Sequence, residues 1–188
     1  MPKRRSEARE RLLASATRLF YAEGIGKVGV DRIVSASQVT LATFYRHFPS
    51  KQDLVVAYLN DVHALEARRF AELAEHAQGG DLIRAIADGI AMMIGRREFR
   101  GCAFINAGAE FEDPGSPVRQ AVDAHRQWYF EQLRDAFAAA GHPEPALPAR
   151  QFVLLRDGTM TAGYLDRADA VRRTFMRGVD GLLQSVDA

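Results

Sequence analysis

The chain of 188 residues contains one cysteine, Cys102, which excludes an internal disulfide and fits a reducing compartment, so a cytoplasmic location is expected. It has no run of eighteen apolar residues, and no segment is predicted to span a membrane. Its start, MPKRRSEARE, lacks the apolar stretch of a secretion signal. Signatures of catalysis are missing too: there is no Gly-x-Ser-x-Gly elbow, no His-Glu-x-x-His, no phosphate-cradling glycine loop and no pair of cysteines. His63 and His125 each follow an aspartate two residues earlier, a spacing that turns the two groups apart on a helix and makes a poor metal site. No catalytic residue, metal ligand or cofactor is therefore expected.

Acidic residues are scarce at one end only. The net charge is +1, yet residues 1–51 hold ten Lys/Arg against four Asp/Glu, and the remainder fifteen against twenty. A basic amino-terminal module on a mildly acidic body suits a chain of which one end meets phosphate. Lys3, Arg4 and Arg5 read as a basic arm, either entering a minor groove, lying over phosphates or forming a tail without fixed contacts.

The stretch Gly29 to Lys51, GVDRIVSASQVTLATFYRHFPSK, has the pattern of two short helices joined by a tight turn. Val30, Ile33 and Val34 give the first an apolar face. Ser35, Ser37 and Gln38 supply a polar turn, and Thr40 follows as a helix cap. A second helix from Thr40 puts Phe44 and His47 or Phe48 inward and leaves Leu41, Ala42, Thr43, Tyr45 and Arg46 outside. Arginine pairs bidentately with guanine, and small apolar groups touch a thymine methyl, so Leu41, Ala42, Thr43 and Arg46 are candidates for base edges in a major groove. Thr40, at the start of that helix, and Lys51, at the start of the next, are candidates for phosphates.

The order Ile33, Val39-Thr40, Thr43-Phe44-Tyr45, His47-Phe48, Ser50-Lys51 and Leu54 resembles the signature of the TetR family of transcriptional regulators. In that family the Tyr-x-His pair and the following lysine hold DNA phosphates, which maps onto Tyr45, His47 and Lys51. Two positions depart from the family pattern: Gln38 stands where the turn usually has glycine, and Gly29 where a hydroxyl residue usually starts the helix. Gln38 in a left-handed conformation would cost about 1 kcal/mol.

The rest of the chain reads as helices separated by Gly and Pro breaks. Ser6 to Glu23 is a helix with Leu12, Leu13, Ala16, Leu19 and Phe20 inward; with the two helices after it, it makes a very small core, which should lean on the body through the long helix that follows. Ser50 and Asp53 form a capping arrangement for a long helix from Lys51 to Ala77, with Leu54, Tyr58, Val62, Leu65 and Leu73 inward. Asp81 caps the next. Gly101 to Phe111 is apolar except for Asn106 and Glu110, a pair that either meets a ligand in a cavity or lies at a surface or subunit contact. A helix to Ala140 carries Trp128, Tyr129 and Phe130 in succession, so at least one of the three must meet a cavity or partner. Two final helices, Ala149 to Asp166 and Asp169 to Val186, carry Gly158, Ala162 and Gly163, small residues that make sense where another helix comes close. Cys102 is either an oxidant sensor or an inert buried thiol.

The expected fold is all-α: an N-terminal three-helix helix-turn-helix domain, residues 1–50, joined to a C-terminal antiparallel helical bundle, residues 51–188, with about nine helices in total. The resemblance implies a homodimer through the last two helices and a double-stranded DNA operator as partner. The expected function is a transcriptional regulator, most simply a repressor released from a palindromic operator by a hydrophobic small-molecule effector. Tyr58, Val62, Met93, Phe104, Phe111, Trp128, Phe152 and Met160 are the candidate effector-binding residues, or else core filling. An architectural DNA binder without an effector is the alternative.

Overall fold

A computed structural model describes residues 6–184; the basic arm Lys3, Arg4 and Arg5 and the expected helix position Val186 lie outside these. Among the described residues the chain forms nine helices and no strand: α1 Glu7–Glu23, α2 Val30–Ser37, α3 Leu41–His47, α4 Lys51–Ala74, α5 Gly79–Met93, α6 Ala103–Glu110, α7 Pro117–Ala139, α8 Ala146–Leu165 and α9 Ala168–Gln184. The all-α expectation holds. No helix among the described residues is long and apolar enough to cross a membrane.

Several boundaries differ from the sequence reading. α4 stops at Ala74, not Ala77, and Leu65, expected inward, is 40 % exposed. α5 begins at Gly79 behind Gln78, so Asp81 lies in the first turn and is not the cap. α8 begins at Ala146, upstream of the expected Ala149, and takes Pro148 into its first turn. Proline is tolerated there because the N–H it lacks would have had no helical acceptor.

The chain divides into two compact units, Met1–His63 with Ala103–Asp123, and Ala64–Cys102 with Ala124–Ala188. In the first, Leu12, Leu13, Ala16, Leu19 and Phe20 of α1 are all buried, as the stripe on that helix required. Leu54, Val55, Tyr58 and Leu59 of α4 are buried as well, and the Phe20 and Tyr58 rings meet edge to face at 5.7 Å. The small core of the first three helices does lean on α4. At the start of α4 the Ser50 N–H donates to Asp53 Oδ2 at 2.9 Å and the Asp53 N–H to Ser50 Oγ at 3.2 Å, the reciprocal capping pair expected.

The second unit is built from α5, α8, α9 and the adjoining parts of α4 and α7. Phe152 of α8 and Phe175 of α9 are fully buried, with their rings at 5.9 Å. Gly178 lets α9 close onto α8: a Cβ there would lie 3.0 Å from Leu155 Cδ1. The three small residues of α8 separate into two kinds. A Cβ at Gly163 would sit 2.8 Å from Phe99 Cε1 and 2.9 Å from Ile94 Cγ2, so this glycine serves packing within the chain. A Cβ at Gly158 would meet nothing within 4 Å beyond its own helix, and Gly158 and Ala162 line an open groove.

Gly163→Ala is expected to destabilise the protein by about 1–3 kcal/mol through overpacking against Phe99 and Ile94. Chemical denaturation of the variant beside the parent checks the sign.

Candidate nucleic-acid interface and cavity

The three residues Gln38, Val39 and Thr40 join α2 to α3. Gln38 has φ 53° and ψ 46°, the one non-glycine residue with positive φ among those described. Its N–H donates to Ser35 O at 3.2 Å, and the Val39 N–H to Val34 O at 3.3 Å. These are the two bonds of a Schellman termination, which normally places glycine in the left-handed position. The backbone therefore makes the family turn without the glycine, at a cost of about 1 kcal/mol. Thr40 then caps α3, accepting from the Thr43 N–H at 3.2 Å, and its hydroxyl meets that of Thr43 at 2.9 Å. Ser37, buried, donates back to Ile33 O at 2.7 Å and leaves no unpaired hydroxyl under the turn.

Phe44 is the buried anchor of α3, and Phe48 follows it inward with the Arg9 guanidinium 5.0 Å from its ring centre. With Phe44 inside, Leu41, Ala42, Tyr45 and Arg46 are exposed, as is Thr40; Thr43 and His47 are half-buried. The His47 Nε2 lies 3.4 Å from Ser6 Oγ. The sequence left open whether His47 or Phe48 is inward, and Phe48 is. Arg32, at the opposite end of the pair of helices, is tied to Glu23 at 2.6 Å.

Lys51 stands at the start of α4, half-buried, and its ammonium donates to Ile25 O at 2.6 Å. Burial lowers its pKa from the usual lysine value, and the Glu110 carboxylate partly offsets this. Glu110 itself accepts from the Ile25 N–H at 3.0 Å and from the Gly26 N–H. The Ile25 peptide is thus held on one side by the acid of α6 and on the other by the amine of α4. Of the two readings of the Asn106–Glu110 pair, this removes Glu110 from a cavity and makes it a tether for the loop after α1.

The effector candidates do not form one constellation. Met93, Trp128 and Met160 line a cavity of about 170 Å³ in the second unit. Tyr58 and Phe104 are buried in the first unit, where Val62 and Phe111 are half-buried. Phe152 belongs to the α8–α9 core. Of the aromatic triplet on α7, Trp128 faces the cavity, Tyr129 is buried beside it, and Phe130 lies 4.8 Å under the Arg150 guanidinium.

Sequence reasoning missed Arg156, which is 5 % exposed. Its guanidinium donates to Asp157 Oδ1 at 3.0 Å and to Cys102 Sγ at 3.4 Å, and lies 4.8 Å over the Tyr129 ring. Burial opposes its charge, but Cys102, Tyr129 and Glu66 outweigh that and raise its pKa. Arg126 holds the other oxygen of Asp157 at 2.8 Å, and His125, buried, lies 3.5 Å from Glu66. The available signal was the spacing Phe152, Arg156, Thr159, Met160: a cation on the apolar stripe of a helix. Cys102 is buried and accepts from Arg156. No group of three or more potential metal ligands occurs among the described residues.

A family model described as bacterial regulatory proteins, tetR family, matches residues 12–58. The chain is 44 % identical to SCO4454, a TetR-family transcriptional regulator from Streptomyces coelicolor, whose crystal structure aligns with a TM-score of 0.93 over 97 % of each chain. It is 22 % identical over 179 residues to the HTH-type transcriptional regulator YjdC of Escherichia coli (94 % of this chain, 93 % of that one). It is also 27 % identical over 120 residues to the HTH-type transcriptional repressor NemR of the same organism (62 % and 60 %).

Burial pushes the Tyr129 phenol up to about 12, although Arg156 pulls the other way. The folded state then binds more protons than the unfolded chain between about pH 10 and 12, so stability is full below pH 10 and falls as pH rises through that window, by roughly 2–3 kcal/mol. Urea denaturation at pH 9 and at pH 12 should show the loss, and Tyr129→Phe should flatten it.

Proposed function

The chain belongs to the TetR family of bacterial DNA-binding transcriptional regulators, which are not enzymes, and on that footing we propose that it is a homodimeric repressor released from a near-palindromic operator by a small, largely apolar effector. The observation that carries the reading is the face of α3: Leu41, Ala42, Tyr45 and Arg46 all stand exposed on a helix fixed by Phe44 and the Thr40 cap. Residues 1–50 are the reading head, and 51–188 carry the effector site and the dimer contact.

Leu41, Ala42, Thr43 and Arg46 meet base edges in the major groove, and Thr40, Tyr45, His47 and Lys51 meet phosphates. Lys51 can do so while keeping Ile25, since an ammonium has three donors and one suffices for the carbonyl. The exposed N–H groups at the start of α4 add to its pull on phosphate. Two heads about 34–36 Å apart would read successive major grooves.

The dimer contact is the groove on α8 and α9, about 900 Å³ and lined by Leu154, Leu155, Gly158, Ala162, Val171 and Leu182 among others. Leu154 is 70 % exposed and Leu165 69 %, a burden of apolar surface that a lone monomer would not carry without a partner. The repressor sense is supported by the likeness to NemR, itself a transcriptional repressor. A cytoplasmic location follows from the DNA target. The architectural alternative predicts no response to a ligand, and the cavity beside Trp128 speaks for an effector. A band shift of the protein on its own upstream DNA, with and without a panel of apolar compounds, tests the proposal; operator affinity that no compound alters would refute release.

Arg46→Ala is expected to relax specificity at one position per half-site by about 1–3 kcal/mol, while Lys51→Ala weakens binding to all sequences alike and lowers the salt dependence. Titrations against a set of single-base operator variants distinguish the two patterns. Leu154→Arg should give a monomer in sedimentation equilibrium and lose tight binding to the two-part operator while keeping the helical content of the parent.

A further inference from the structure

The cavity beside Trp128 is not lined like a purely apolar pocket. Phe70, Ile86, Ile90, Met93 and Met160 supply apolar walls, but Arg69 and Arg156 also face it, against the single acid Glu66. Glu66 already lies 3.5 Å from His125. Asp157, a carboxylate bonded to Arg156, lies between two arginines, 3.0 Å from Arg156 and 2.8 Å from Arg126. Around the cavity three arginines, Arg69, Arg126 and Arg156, stand against two carboxylates, Glu66 and Asp157, and of the two arginines that line the cavity Arg69 is exposed to solvent while Arg156 is buried. A guanidinium cannot shed its proton, so a buried arginine keeps its charge and has to find anionic partners. The bonds to Asp157 and Cys102 use two of its five N–H groups.

From this we infer that the effector carries a carboxylate, and that Arg156 binds it, with the apolar remainder of the molecule lying against Trp128 and the methionines. A closed apolar cavity of roughly 150 Å³ accommodates benzene, so this partly open pocket of about 170 Å³ has room for a single ring with one small acidic substituent, and a monocyclic aryl carboxylate is the smallest ligand of that kind. The planar fork of Arg156 matches a carboxylate in geometry as well as charge. This inference rests on the effector-release reading and names the chemistry of its ligand.

Trp128 is the only tryptophan of the chain, so its fluorescence reports the cavity without a label. Benzoate and benzamide, nearly equal in shape and different in charge, are titrated into the full-length protein. Benzoate should bind at least about tenfold more tightly than benzamide, a step of about 1.4 kcal/mol. Arg156→Met should bring the ratio near one, and Arg156→Lys should retain part of it. Equal affinities in the parent, no fluorescence response to benzoate, or an undiminished preference in Arg156→Met would overturn the inference. If Arg156→Met does not fold, the parent and Arg156→Lys still decide it.

Repeating the titrations with operator-bound protein separates the two claims. Release of the operator by neutral toluene but not by benzoate would overturn the carboxylate site and leave effector release standing. Arg156-dependent binding of benzoate with unchanged operator affinity would support the site and overturn release.

Discussion

A helix of seven residues does not hold together in water by itself, so whatever α3 presents on its outer face is held there through Phe44. That ring is fully buried and sets the rotation of the helix, while the Schellman bonds at Gln38 and the Thr40 cap set its direction. Leu41, Tyr45 and Arg46 can be large and exposed because the two ends and the inner face of α3 are fixed. The same dependence runs outward through Phe48 and Tyr58: the head is too small to supply its own core, and α4 supplies the missing part.

Much of this was legible in the sequence because the rules involved are local. The Thr40 cap, the Ser50–Asp53 pair and the inward stripe of α1 depend on residues within one or two turns of each other, and spacing alone identifies them. The faces of α3 follow from one anchor. The turn at Gln38 was legible as an exception, and the structure gives its form: a left-handed residue retained without the glycine that makes it inexpensive.

What was not legible depends on partners far along the chain. Gly163 resembles a site for a neighbouring subunit until Ile94 and Phe99 are seen against it. Glu110 looked like half of a polar pair on α6, yet its carboxylate lies against the backbone of residues 25 and 26. Arg156 interrupts an apolar stripe and could be read as a slip in the pattern; only the arrival of Cys102 and Tyr129 from elsewhere in the chain, beside its neighbour Asp157, makes it a buried charge with a setting. Long-range pairing of this kind leaves no periodicity, and apolar residues such as Tyr58 and Phe152 that fill cores have the same signature as those that line cavities.

The tether between Glu110 and the loop after α1 bears on how such chains diverge. A Cβ at Gly26 would lie 3.0 Å from Glu110 Oε2, so a side chain there would crowd the carboxylate that two amides share. Positions 26 and 110, eighty-four apart in sequence, are therefore coupled: a change at the first is felt by the acid at the second.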